Sequence, residues 1–253
     1  LSPMDSFSAE LGTEFAVRVE AKHVINTDEQ VFAAAISKFG NVDLKCTFQF
    51  HDDIRYQDAL GNGLLSVRQA SSAGMLVFFP SYGLLDKVTQ RWSVTGLLAA
   101  LSASGGTDDD DDGAGLGVVV EPRDGKDLDE VLNKYYRRID AGLSGVLLAV
   151  CRGKVSEGID FADEYARTVC VVGIPFPSVM DLQVRLKRTH QDELCKKAPS
   201  GGNLPGDKWY CQEAFRAINQ AVGRCIRHIK DFGALILLDP RFSLPENQAQ
   251  MSK

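Results

Sequence analysis

An α/β sandwich with a mostly parallel sheet, covered by helices on both faces, is the fold this sequence predicts. Short continuous runs of apolar and β-branched residues recur along it: MLVFF (75–79), GVVVE (117–121), GVLLAV (145–150), TVCVVGI (168–174) and GALILLD (233–239). Runs without alternation are the pattern of strands buried on both faces. Helix-like stretches lie between several of them, near 82–95, 127–140, 179–197 and 208–228, as the crossovers of a parallel sheet require. With 253 residues and 44% apolar content, the chain can bury the core of one larger domain or of two small ones.

Taken in order, the N-terminal third offers strand-like FAVRVEA (15–21) and VFAAAI (31–36), then a helix near 56–72. MLVFF ends in Pro-Ser-Tyr, where Ser81 is placed to cap the following helix. Ser81 and Tyr82 could equally hold a nucleic-acid backbone or stack on a base. SASGGTDDDDDGAGLG (102–117) has almost nothing to bury and reads as a flexible insertion, because strand-like sequence resumes directly after it. GVLLAV empties into the polar CRGKVSEGIDF (151–161), and the last strand into DPRF (239–242), an Asp–Arg pair suited to bracing a loop. The domain is expected over 31–242, with a lead-in over 1–30 and the start of an extension over 243–253.

The net charge of −6 divides unevenly. Asp108 to Asp112 carry five of the negative charges, whereas Arg185 to Lys230 hold ten Lys/Arg against four Asp/Glu. A core with one basic region and a detached acidic loop fits this better than uniform acidity. Six cysteines form no C-x-x-C pair and four histidines make no metal-ligand spacing with them, which argues for buried free thiols rather than a zinc or disulfide framework. No apolar run approaches the roughly 20 residues that span a bilayer. The opening LSPMDSFSAELG resembles no leader peptide, and a start at Leu1 suggests a piece of a longer chain.

Two clusters could carry chemistry. In open α/β sheets, ligands sit beyond the carboxyl ends of strands, where Gly153 to Phe161 falls. Gly153 and Gly158 allow close backbone approach, and Ser156 with adjoining amides can face an anion. Arg152 and Lys154 add positive charge; Asp160 could accept from a sugar hydroxyl or orient an arginine. The second cluster is NQAVGRCIRH (219–228). On a continuous helix Gln220, Arg224 and Arg227 fall within roughly 60° of one another, opposite the apolar Ala214, Phe215, Ile218, Ala221, Val222, Cys225 and Ile226. Paired guanidiniums there can bridge phosphate oxygens and stabilise charge on a transferred phosphoryl group. No P-loop, D-E-x-[DH] box or G-x-S-x-G elbow occurs. A nucleoside triphosphate site built here would be only partial.

In this order, VFFPSY, GKVSEGIDF and QAVGRCIRH resemble motifs IV, V and VI of the second RecA-like motor domain in the XPD-like iron–sulfur DNA helicases of superfamily 2. LSPM resembles the tail of motif III, and GIPFPSVMDLQVRLKR and GALILLDPRF extend the likeness, which weakens across 38–60 and fails in the Asp-rich stretch.

The resemblance implies a RecA-like three-layer sandwich that shares ATP and Mg2+ with an upstream motor domain carrying the P-loop, the acidic box and a 4Fe-4S cluster. The six cysteines here would not belong to that cluster. It implies Arg227 as the arginine finger, Arg224 assisting it, and Gln220 coupling nucleotide to both domains. Gly158 and Asp160 would link nucleotide state to DNA grip. Ser81, Tyr82, Arg152, Lys154 and Ser156 become candidate contacts for single-stranded DNA. The setting implied is 5′–3′ DNA unwinding in nuclear repair on single-stranded or structured DNA, with no membrane involved, and with this piece inactive as an ATPase when isolated. Two other readings stand beside it: a DNA- or partner-binding module without turnover, and a structural half whose Asp-rich loop recruits a basic partner.

Overall fold

A computed structural model describes residues 25–71, 73–103, 117–197 and 204–251, together with 11, 13, 15–17 and 19. Its centre is a six-stranded sheet of β1 (Val31–Ile36), β4 (Met75–Phe79), β5 (Val118–Val120), β6 (Val146–Val150), β7 (Thr168–Val172) and β8 (Gly233–Leu238), in the order β1-β8-β7-β4-β6-β5. Every neighbouring pair is parallel. A separate hairpin pairs β2 (Lys38–Phe39) with β3 (Val42–Asp43), turning through Gly40 at φ +56°, a left-handed conformation glycine adopts without a Cβ penalty.

The helices are α1 (Thr27–Gln30), α2 (Ile54–Ala70), α3 (Tyr82–Thr95), α4 (Leu97–Ala103), α5 (Leu128–Asp140), α6 (Lys154–Gly158), α7 (Leu182–Lys197), α8 (Gly206–Val222) and α9 (Pro245–Gln248). Successive strand residues point to opposite faces, and two cores result. Leu76, Phe78, Leu147, Ala149, Val169, Val171, Leu235 and Leu237 pack with α5 and α8. Met75, Val77, Phe79, Val146, Leu148, Val150, Cys170, Val172, Ile236 and Leu238 pack with α2, α3 and α4. This double burial is why the strands read as unbroken apolar runs. Trp92 of α3 anchors the second core: it is fully buried, tilted against Phe79 at 6.3 Å, and its indole N–H donates to the Gln57 carbonyl at 2.8 Å. Burial of such a side chain stabilises the fold by about 3 kcal/mol.

The expected strands from Val31 onward and the helix over 82–95 form as read. Two readings differ from the structure, and two elements appear that were not expected. The helix expected over 208–228 ends at Val222, where Gly223 caps it by donating to the Asn219 carbonyl at 2.9 Å. Gln220 is therefore helical while Arg224 and Arg227 are not, and the single helical face drawn for all three does not exist. Of FAVRVEA, the described Phe15, Ala16, Val17 and Val19 lie in no strand, with Phe15, Val17 and Val19 exposed. The short α4 and the β2–β3 hairpin were not expected. Residues 104–116, including the Asp run, lie outside the described residues, as does LSPM. The two ends of that segment meet, Gly117 N donating to Ser102 Oγ at 2.9 Å.

All six cysteines are free thiols. Asp239 and Arg241 pair at 2.7 Å, and the same buried carboxylate accepts from Cys46 N at 2.8 Å, pinning the loop after the hairpin to the end of β8. Among the described residues no helix is long and apolar enough to cross a membrane.

Candidate functional site

β6, β4 and β7 are adjacent, so their carboxyl ends form one rim. Past β4, Ser81 caps α3, its hydroxyl accepting from Leu84 N at 3.3 Å. Tyr82 is half-buried with the Arg123 guanidinium 5.6 Å from its ring centroid, and burial and the nearby Glu121 carboxylate push its phenol up. Past β6, Arg152 adopts φ +63°, strained for a residue with a Cβ. Its guanidinium donates to the Glu213 carbonyl on α8 at 2.8 Å.

Gly153 follows because nothing larger fits. A Cβ there would lie 2.6 and 2.7 Å from the Glu121 carboxylate oxygens and 2.8 Å from the Val150 carbonyl. Glu121 is 3% exposed and fastens this turn, accepting from Val150 N at 2.8 Å and Val155 N at 3.1 Å. Lys154 is exposed on α6. Ser156 is fully buried and donates to the Gly153 carbonyl at 3.0 Å, so its hydroxyl faces inward. Gly158 is exposed, with nothing within 4 Å of a would-be Cβ.

The two clusters meet through Arg224. Freed from the helix, its guanidinium donates to the Ser156 carbonyl through Nε at 3.0 Å and Nη2 at 2.5 Å, and to the Ile159 carbonyl through Nη1 at 2.5 Å. Burial, and then the neighbouring Arg227, lowers its pKa. With its donors on main-chain oxygens, Arg224 clamps the 153–160 loop. Arg227 instead pairs with Asp160 at 2.7 Å, and the aspartate is 76% exposed. That guanidinium is held by a partner reachable from solvent. Gln220 sits half-buried in the last turn of α8.

A buried carboxylate sets the Arg227 backbone. Asp231, 1% exposed, accepts from Arg227 N at 2.8 Å and Phe232 N at 3.0 Å, and pairs with Arg167. Arg167 lies 4.1 Å over the Phe232 ring and reaches Glu164 at 3.1 Å. His228 Nε2 lies 2.9 Å from Asp163, a hydrogen bond that, with Arg167 nearby, holds that carboxyl below the usual carboxylate range. Asp163, His228 and Asp231 are the metal-ligand types that converge among the described residues. The cation on Asp231 is an arginine, however, and no cysteine joins the group, so these residues do not fit an iron–sulfur cluster.

Sequence reasoning missed Glu121, Arg167 and Asp231. Glu121 left a signal, a carboxylate directly behind an apolar VVV run. Arg167 and Asp231 border strands in the same way, but their pairing is invisible along the chain.

This sheet and its paired motif loops define a RecA-like α/β domain. The helicase C-terminal domain family matches residues 64–253, and the chain belongs to that family. Over 251 residues it is 48% identical to the Fanconi anemia group J protein homolog of Gallus gallus, covering 96% of this chain and 19% of that one. It is 36% identical over 254 residues to the regulator of telomere elongation helicase 1 of Mus musculus, covering 99% and 20%. A solved XPD helicase shares the fold at TM-score 0.57 and 22% identity, covering 87% of this chain and 33% of that one. The chain thus spans about a fifth of the length of these two curated relatives.

Proposed function

We propose that this chain, over 31–242, is the second motor domain of an ATP-dependent 5′–3′ DNA helicase of the XPD-like iron–sulfur kind, acting on single-stranded or structured DNA in the nucleus. One observation carries the reading. Arg224 and Arg227, arriving from the turn after α8, close on the same 153–160 loop that leaves the β6 rim. A loop gripped by two arginines on one side and placed among strand ends on the other joins a phosphate-handling cluster to a candidate DNA rim.

ATP with Mg2+ would be shared with an upstream motor domain that carries the P-loop and acidic box. The 4Fe-4S cluster belongs to that upstream half too. The chain's own part is electrostatic. Arg227 leaves Asp160 for the γ-phosphate and stabilises charge developing on the transferred group. Arg224 keeps the loop in register while this happens, and Gln220 lies beside the turn to couple nucleotide to both domains. Gly158, unobstructed, lets the loop backbone approach the nucleotide. Ser81, Tyr82, Arg152 and Lys154 form the DNA rim, where phosphate contacts and stacking give grip without base readout. Ser156, expected at that rim, does not reach it: the residue is fully buried, with its hydroxyl on the Gly153 carbonyl and its own carbonyl held by Arg224.

The test is single-strand-DNA-stimulated ATP hydrolysis by the longer natural chain, with and without Arg227→Ala. The expected loss is about 10²-fold or more with DNA affinity kept. Robust hydrolysis in the variant overturns the finger assignment. DNA binding without hydrolysis in the unaltered chain moves the protein to a binding module without turnover.

A further inference from the structure

The basic stretch that follows β7 contains a feature the motif loops do not use. Phe176, just past the strand end and 37% exposed, stacks on Tyr210 of α8 with centroids 5.3 Å apart and planes at 17°. Tyr210 is fixed: its hydroxyl donates to the Pro177 carbonyl at 2.7 Å, and the Arg188 guanidinium stands 4.8 Å from its ring centroid. Arg188 is itself tied to Asp207 at 2.5 Å. Arg188 and Phe176 thus both rest on the Tyr210 ring, and Phe176 keeps part of its own ring exposed.

Position and charge select the occupant. Phe176 leaves β7, Ser81 and Tyr82 leave β4, and Arg152 leaves β6, three neighbouring strands whose ends span about 10 Å at the usual strand spacing. Arg152 reaches the same helix as Tyr210, on the Glu213 carbonyl. An exposed aromatic ring whose stacking partner, Tyr210, has the Arg188 and Arg152 guanidiniums nearby, in line with the rim, suits a ligand with flat rings strung on a polyanion. Exposed Val179 and Met180 beside it could pack against a sugar or base edge.

We infer that Phe176, stacked on Tyr210, is a platform on which a base of the bound single strand rests, next to phosphates held by Arg152 and Arg188. This rests on the DNA-motor reading and extends the rim from β6 and β4 to β7. The preformed stack of Phe176 on Tyr210 means that ordering cost is met before DNA arrives, and stacking accepts any base.

The experiment measures anisotropy of labelled oligo-dT, and of an abasic oligomer of the same length, on the longer natural chain. Phe176→Ala is expected to weaken oligo-dT roughly tenfold, with the slope of affinity against salt unchanged because no phosphate contact is lost. The abasic oligomer should bind both proteins alike. Phe176→Leu, which keeps apolar packing, should lose as much as alanine, and Phe176→Trp should restore binding. Arg152→Ala should instead weaken both oligomers and flatten the salt slope. Equal weakening of both oligomers by Phe176→Leu overturns the platform and leaves a folding role. Unchanged binding of both overturns it in favour of a protein segment covering the face. No DNA binding by the unaltered chain overturns this inference and the proposed function together.

Discussion

Replacing Arg224 by lysine keeps the charge and removes the fork. In the structure the guanidinium serves the Ser156 carbonyl twice and the Ile159 carbonyl once, whereas a lysine ammonium on one flexible stem reaches one of those oxygens at a time. One or two charge-assisted hydrogen bonds are lost, each worth about 1.5–3 kcal/mol, so local opening of the 153–160 loop should become easier by about 2–4 kcal/mol. At about 1.4 kcal/mol per tenfold that is roughly a 30- to 1000-fold rise in open population. A typical fold has about 5–15 kcal/mol in hand, so the chain stays folded. Hydrogen exchange by mass spectrometry should show faster exchange across 151–161 with β4 unchanged. ATP hydrolysis by the longer chain should fall as well, because Asp160 and Arg227 lose their common frame. Unchanged exchange over 153–160, or equal acceleration in β4, would refute the clamp.

Gly153→Ala forces a Cβ to within 2.7 Å of the Glu121 carboxylate and 2.8 Å of a backbone oxygen. It should cost about 1–3 kcal/mol and lower Tm by several degrees, while Gly158→Ala leaves Tm in place; equal Tm values would show that the turn is not tight. Burial, and then Lys87, lowers the His51 pKa from 6.5. As pH falls below 6.5 the unfolded chain takes up that proton first, so the stability linked to His51 is full above its unfolded pKa and declines below it. The urea midpoint should therefore drop more between pH 7.5 and 5.5 in the natural chain than in His51→Gln. Burial pushes the thiols of Cys46, Cys151 and Cys225 up to about 12 and that of Cys170 higher still. At neutral pH iodoacetamide should label half-buried Cys195 first, and peptide mapping that finds Cys151 equally fast would mean the rim opens readily.

The fold was legible where burial is two-sided. MLVFF and GVLLAV are strands because every residue faces one core or the other, and no alternation is needed to find them. The end of α8 was not legible, since Ala221, Val222, Cys225 and Ile226 continue the apolar period past the true stop. Gly223 caps the helix locally, and what holds Arg224 away from the helical path beyond it is a set of bonds to carbonyls 65 and 68 residues away in sequence, which no local pattern records. The candidate residues on the motif loops were legible as residue types, but their division of labour was not. Ser156 turning inward, Arg224 committed to carbonyls and Arg227 parked on an exposed carboxylate all depend on which segment lies opposite.

The chain from Arg152 to Arg167 touches the stretch from Glu213 to Asp231 five times: Arg152 on the Glu213 carbonyl, Arg224 on Ser156 and Ile159, Arg227 on Asp160, His228 on Asp163, and Arg167 on Asp231. Stitched at both ends and in the middle, the two stretches behave as a laminated beam. Neither ply can slide along the other without breaking several bonds at once, so a push at the arginine end arrives at the strand-end rim as a tilt of the whole beam. The same stitching restricts sequence length. One residue inserted in either ply would throw the later stitches out of register, whereas the segment between Ser102 and Gly117, closed at its base, can change length without moving them.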